Sequence, residues 1–101
     1  MTVPPSRNGV THSTRLALSP QSTLQPLGDT EGGVVLKLDS GELFTVNDTS
    51  LAFLQELDGT AKIDDVAGRL AEIFDVDAAT LTSDLIEIAD DLIDESLIYI
   101  V

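Results

Sequence analysis

Residues 32–58 read G-G-V-V-L-K-L-D-S-G-E-L-F-T-V-N-D-T-S-L-A-F-L-Q-E-L-D. The stretch predicts a β-hairpin that runs straight into a helix. Val34, Leu36 and Leu38 alternate along one strand face, and Glu42, Phe44 and Val46 alternate along the return strand, with Leu43 and Thr45 on its other side. Period-two alternation of this kind marks a half-buried strand. Asp39-Ser40-Gly41-Glu42 supplies the turn, with Gly41 free to take a positive φ. Asn47 or Asp48 can then cap a helix whose apolar positions are Leu51, Phe53, Leu54 and Leu57.

Outward from the hairpin, the chain divides into a polar start and a helical end. Residues 1–14 predict a disordered tail, since Pro4, Pro5, Ser6, Asn8, Gly9, Ser13 and Thr14 offer little to bury. Arg15–Leu18 is a short strand candidate, and residues 20–33 read as a loop punctuated by Pro20, Pro26, Gly28, Gly32 and Gly33. The first helix is expected from about Asp48 to Leu57, stopped by Asp58-Gly59. The second is expected over about Ile63–Phe74, with Thr60 as its start signal and Gly68 marking a close helix contact. Asp77 caps the third, about Ala78–Ser96, after which Leu97-Ile98-Tyr99-Ile100-Val101 forms an apolar tail that must pack somewhere. The expected organisation is one domain over residues 15–101.

At about 100° per residue, Leu81, Leu85, Ile88 and Leu92 fall in one stripe of the third helix, and Ile86, Ala89, Ile93 and Leu97 in an adjoining one. The two span roughly half the circumference, wider than the ~100° needed to pack on one neighbour. The other half is Asp84, Glu87, Asp90, Asp91, Asp94 and Glu95, which reads as a solvated face. The wide arc implies contact with two bodies. Both can be intramolecular, or one flank can line a groove for a partner segment. The strand Glu42–Val46 poses the same choice: an ordinary protected edge, or an edge to which an extended peptide adds as a strand.

Charge limits the classes of partner. Eighteen carboxylates face five cations, for a net charge of −13, and no Lys or Arg follows Arg69. Such a surface lacks the cations whose counterion release drives nucleic-acid binding, and it repels anionic lipid. Neither nucleic acid nor membrane is an expected partner. With no Cys there is no disulfide, thiolate nucleophile or thiolate metal site, which fits a reducing cytoplasm. His12 stands alone without a ligand-spaced neighbour, so no metal or cofactor is expected. No catalytic constellation is evident, and a binding protein is expected rather than an enzyme. One rival is an acidic carrier protein, for which Asp48-Thr49-Ser50-Leu51 offers a serine near a helix start, with Thr49 interrupting the order such a motif needs.

The segment from about Gly33 to Leu97 resembles the PqqD-like family, the RiPP recognition elements of ribosomally made, post-translationally modified peptides. The residues carrying the resemblance are V-L-K-L-D-S-G-E-L-F-T-V-N (35–47), L-A-F-L-Q-E-L-D-G (51–59), V-A-G-R-L-A-E-I-F-D-V-D (66–77) and S-D-L-I-E-I-A-D-D-L (83–92). The chain departs from the pattern at Lys62, where a Thr cap is usual, and at Ser96, where a Gly usually ends the last helix. The resemblance implies an α+β winged helix-turn-helix, with a three-stranded antiparallel sheet followed by three helices. It implies a non-catalytic module that binds the leader of a precursor peptide as an added strand, in a cleft between the last strand and the third helix. Carried onto this chain, the docking edge is Leu43, Phe44, Thr45 and Val46. The facing wall is drawn from Leu81, Asp84, Leu85, Ile88, Asp91 and Leu92, with Asp84 and Asp91 placed to pair with leader Lys or Arg. The partner enzyme it implies is a separate maturation enzyme. The free-standing size and the Leu38–Asn47 hairpin favour a lasso-peptide leader peptidase, with a PQQ-type peptide chaperone for a radical SAM enzyme as the alternative.

Overall fold

A computed structural model describes residues 6–28 and 31–101. The element order is β1 (Arg15–Leu18), β2 (Ser22–Pro26), β3 (Gly33–Lys37), β4 (Glu42–Val46), α1 (Asp48–Gln55), β5 (Asp58–Lys62), α2 (Ile63–Phe74), α3 (Ala78–Asp94) and β6 (Ile98–Ile100). This is the expected α+β architecture with three helices and a three-stranded antiparallel sheet. That sheet is β2-β3-β4, however, and a second one, β5-β1-β6, accompanies it. The presumed loop at 20–33 therefore contains β2, paired with β3 from Ser22↔Lys37 to Pro26↔Gly33. The apolar tail becomes β6, laid antiparallel on β1.

Local chemistry explains the boundaries. The Ser50 N–H donates to Asn47 Oδ1 at 2.8 Å and the Thr80 N–H to Asp77 Oδ2 at 3.0 Å, so both predicted caps are in place. α2 does not start at Thr60. Its first free amides are taken by main-chain carbonyls from upstream: Ile63 N–H donates to the Thr14 C=O at 3.1 Å and Asp64 N–H to the His12 C=O at 2.9 Å. Lys62, which has no side-chain acceptor, can therefore precede the helix. α1 stops at Glu56, and Asp58-Gly59 enters β5 rather than ending the helix. α2 and α3 both close in Schellman-type turns, with Val76 N–H bonded to the Ala71 C=O and Leu97 N–H to the Leu92 C=O. The left-handed residues of those turns are Asp75 (φ 55°) and Ser96 (φ 60°). Gly68 marks no close helix contact: a Cβ there would meet nothing within 4 Å.

One core joins all layers, with Leu16, Val35, Phe53, Ile63, Val66, Leu70, Leu85 and Leu97 fully buried. Val10 belongs to it, so the disordered tail expected over 1–14 is corrected for residues 6–14; residues 1–5 lie outside the described residues. At the mouth of the wing hairpin Gly32 (φ 67°) is obligatory, since a Cβ there would sit 2.0 Å from the Val46 carbonyl oxygen. Among the described residues no helix is long and apolar enough to cross a membrane.

Candidate functional site

The hydrogen-bond register of the wing sheet decides what its edges offer. Leu38 N–H donates to the Gln21 C=O at 2.7 Å and Leu27 N–H to the Gly32 C=O at 3.0 Å. In an antiparallel ladder bonded pairs alternate, so Val34 and Leu36 also bond toward β2. Gly33, Val35 and Lys37 are left to bond their partners across β4, which are Val46, Phe44 and Glu42. Leu43 and Thr45 consequently turn their N–H and C=O groups away from the sheet, along an edge with no strand beside it among the described residues. The opposite edge is narrower. Of its outward-facing residues Ser22, Leu24 and Pro26, Ser22 donates its N–H to the Ser19 C=O at 2.9 Å and Pro26 has no N–H to give, so Leu24 alone offers both an N–H and a C=O.

Side chains of β4 alternate as expected. Phe44 lies opposite Val35 and is half-buried against the core, as is Val46; Thr45 is exposed and Leu43 is 67% exposed. β4 packs on α1, and α1 on α3. The α3 candidates divide sharply. Asp84 and Asp91 are exposed and Ile88 is half-buried. Leu81, Leu85 and Leu92 are core residues, Leu85 with no exposure at all, so they hold α3 in place and offer no surface. The wide apolar arc is accounted for by packing of α3 against α1, α2 and β6. Two marked hollows lie elsewhere. One is beside β6, near Ile93, Ser96 and Tyr99; the other is between the start of α1 and the end of α2, near Leu51, Ala52, Ile73 and Phe74.

One cluster escaped the sequence reading. Asp90 is not on a solvated face: it is 5% exposed and accepts from the Ser6 hydroxyl, the Arg7 N–H (3.3 Å), the Asn8 N–H (3.3 Å) and Asn8 Nδ2 (3.1 Å). Burial pushes this carboxyl up, but the bonds from Ser6, Asn8 and Arg7 outweigh it and hold Asp90 below its ordinary value. Arg7 reaches over the helix to Asp94 (2.7 Å) and to Asp91 (3.0 Å), so one of the two carboxylates expected to meet a basic leader residue already has a cation beside it. The available signal was position: Asp90 lies four residues after Ile86 and three before Ile93, so it borders the second apolar stripe of α3.

Among the described residues no group of three His, Cys, Asp or Glu side chains is placed to hold a metal ion. Ser50, the carrier-protein candidate, is 9% exposed in the first turn of α1. A prosthetic arm there would require that turn to open.

The sequence family described as Coenzyme PQQ synthesis protein D (PqqD) matches residues 32–98. No curated protein sequence matches the chain. Among solved structures, the chain is similar to the PqqD truncation of Methylobacterium extorquens PqqCD, a stand-alone RiPP recognition element, with TM-score 0.78 and 20% identity over 91% of this chain and 96% of that one. It is also similar to lasso peptide synthetase B1 complexed with its leader peptide, with TM-score 0.71 and 24% identity over 84% and 98% of the two chains. TbiB1 in complex with the TbiA(beta) leader peptide gives TM-score 0.68 and 17% identity over 81% and 93%. At these identities the structural matches establish a shared fold.

Proposed function

This chain belongs to the PqqD family, and on that premise we propose that it binds the leader of a ribosomally synthesised precursor peptide and presents it to a separate maturation enzyme. The observation that carries this reading is the open β4 edge. Leu43 and Thr45 each present an N–H and a C=O outward, whereas on the other edge of the same sheet only Leu24 does. An extended leader adding there gains main-chain hydrogen bonds, each contributing about 0.5–1.5 kcal/mol net, and places alternate side chains toward Phe44 and Val46. Ile88 and the exposed Asp84 of α3 are the proposed facing contacts, with Asp91 available to a leader cation that displaces Arg7. The module supplies proximity to the enzyme and performs no bond-making step itself. Its setting is read as cytoplasmic, which the absence of Cys supports.

Leader peptidases of lasso pathways are the favoured partner, because the chain shares its fold with lasso peptide synthetase B1 complexed with the leader peptide and with TbiB1 in complex with a leader peptide. A chaperone presenting a peptide to a radical SAM enzyme is the second reading, favoured by the description of the matching family.

The test is titration of labelled leader peptide by fluorescence anisotropy. Wild-type binding is expected tighter than about 10 μM, near −7 kcal/mol. Thr45→Pro removes only the outward N–H of that residue and leaves the β3–β4 ladder intact, so it is expected to weaken binding at least about tenfold with the circular dichroism spectrum unchanged. A folded Thr45→Pro variant with wild-type affinity would show that β4 is not the docking edge.

A further inference from the structure

We propose that the free edge of β6 is a second strand-addition site, and that its occupant is an extended apolar segment, flanked by Lys or Arg, of the enzyme that matures the peptide. The identity of that enzyme rests on the leader-binding reading; the edge itself does not.

The register of the small sheet shows what is open. Ser19 N–H donates to the Leu97 C=O at 2.9 Å and Val101 N–H to the Arg15 C=O at 2.9 Å, with Ala17 opposite Tyr99 between them. The odd-numbered residues of the β6 segment thus bond to β1, and Ile98 and Ile100 direct their N–H and C=O groups outward, where no described strand takes them up. The far edge of the same sheet is guarded. In β5 the Asp58 carboxylate accepts the amides of Thr60 (2.8 Å) and Ala61 (2.9 Å), which folds the strand onto itself. With β2 open only at Leu24, between Ser22 and Pro26, the least guarded strand edges among the described residues are β4 and β6.

β6 also lacks the usual protection of an exposed edge. The run Leu97-Ile98-Tyr99-Ile100-Val101 is β-branched and aromatic, with no Lys, Pro or inward charge to discourage pairing. Tyr99 is 47% exposed, and Ile100 and Val101 are exposed as well. Beside the edge lies a hollow of about 410 Å³ lined by Ile93, Ser96, Ile98, Tyr99 and Ile100, positioned to take a side chain of an added strand.

Charge selects the occupant. Asp94 and Glu95 stand at the end of α3 just before β6; Arg7 already pairs with Asp94 at 2.7 Å, so the rim's attraction for a further cation rests on Glu95 and on the net charge of the chain. A second copy of this chain would bring another net charge of −13 against the same acidic rim. A segment carrying Lys or Arg at its ends would be drawn to that rim and would place its apolar centre on Ile98–Ile100. The leader is assigned to β4, so a different body is needed here.

The experiment titrates the purified maturation enzyme into the full-length chain by calorimetry, with leader anisotropy run in parallel on the same samples. Ile100→Pro deletes only an outward N–H and spares the β1 ladder; Ile100→Val keeps it. The expected result is that Ile100→Pro weakens enzyme binding at least about tenfold, while Ile100→Val stays within about threefold and leader affinity is unchanged in both. Thr45→Pro should do the reverse. Enzyme binding unaffected by Ile100→Pro, or no enzyme binding by the wild type, overturns the proposal. So does a wild-type dimer in sedimentation that Ile100→Pro dissociates, because the occupant is then a second copy. Failure of the leader alone to bind, with enzyme binding still lost in Ile100→Pro, removes the leader reading and leaves the β6 edge standing.

Discussion

Replacing Asp90 with alanine is expected to destabilise the protein by about 2–3 kcal/mol. The carboxylate is almost fully buried and receives four hydrogen bonds from Ser6, Arg7 and Asn8. A bond to a charged acceptor contributes about 1.5–3 kcal/mol, but contributions within one cluster do not add. Two of these bonds are 3.3 Å long and the donors sit where water can replace Asp90, so the total belongs near the value of one or two good bonds. In a domain of this size, that corresponds to a fall of about 10–20 °C in melting temperature. Asp90→Asn keeps the shape and one acceptor and should lose about half as much. Urea unfolding followed by circular dichroism measures the loss, and amide exchange at Val10 reports release of the N-terminal turn. The sign with pH follows from the depressed carboxyl. Its folded value lies below the ordinary 3.8, so the stabilisation is complete above that value and is lost as pH falls through the folded one. The gap between wild type and Asp90→Asn should therefore be constant from about pH 7 to 5 and shrink below about pH 4. A loss under about 0.5 kcal/mol at pH 7, within the range of an ordinary surface substitution, would refute the assignment of Asp90 as the anchor of this turn.

Three other measurements probe separate elements. Gly68→Ala should stabilise the fold by about 1 kcal/mol, since the site is exposed, mid-helix and open around the added methyl; a destabilised variant would mean an unseen neighbour. Ser96→Gly should raise stability by about 0.5–1 kcal/mol by relieving the left-handed backbone at the end of α3, and Ser96→Val should lower it, both read by thermal melts. Asp58, held by the amides of Ala61 and Thr60 and by the Thr60 hydroxyl, should titrate at about 2 by carboxyl carbon NMR. Its contribution is present above 3.8 and fades between there and about 2; a midpoint near 3.8 would mean that the β5 turn is open in solution.

What the sequence disclosed depended on whether a local pattern carried the information. The return strand Glu42–Val46 was legible because Phe44 and Val46 alternate with exposed residues, and α1 and α3 announced themselves through Asn47 and Asp77. β2 was hidden because Ser-Thr-Leu-Gln-Pro has one apolar side chain and owes its extended form to pairing with β3. β5, Asp-Gly-Thr-Ala-Lys, has no apolar alternation at all, and its existence depends on Arg15–Leu18 lying beside it. The start of α2 could not be read because main-chain carbonyls of His12 and Thr14, some fifty residues upstream, do the work of a cap. In the candidate site, strand alternation separated Leu43 and Thr45 from Phe44 and Val46, but helix periodicity could not tell the more exposed flank of α3 from the core. It grouped buried Leu81, Leu85 and Leu92 with half-buried Ile88.

The position of β1 between β5 and β6 bears on how the chain reaches this state. β1 is the earliest strand in the sequence, yet its two partners begin at Asp58 and Ile98. On an emerging chain, Leu16 waits with its apolar side chain uncovered until the partners that begin at Asp58 and Ile98 have been made. The hairpin β3–β4 and the pair α2–α3 are local and can form early; closure of the small sheet must come last and is slowed by the long loop it spans. The same strand that completes the core also fixes β6, so the outward-facing edge at Ile98–Ile100 comes into being only in a fully folded molecule. A partner that reads this edge would engage finished copies and pass over intermediates.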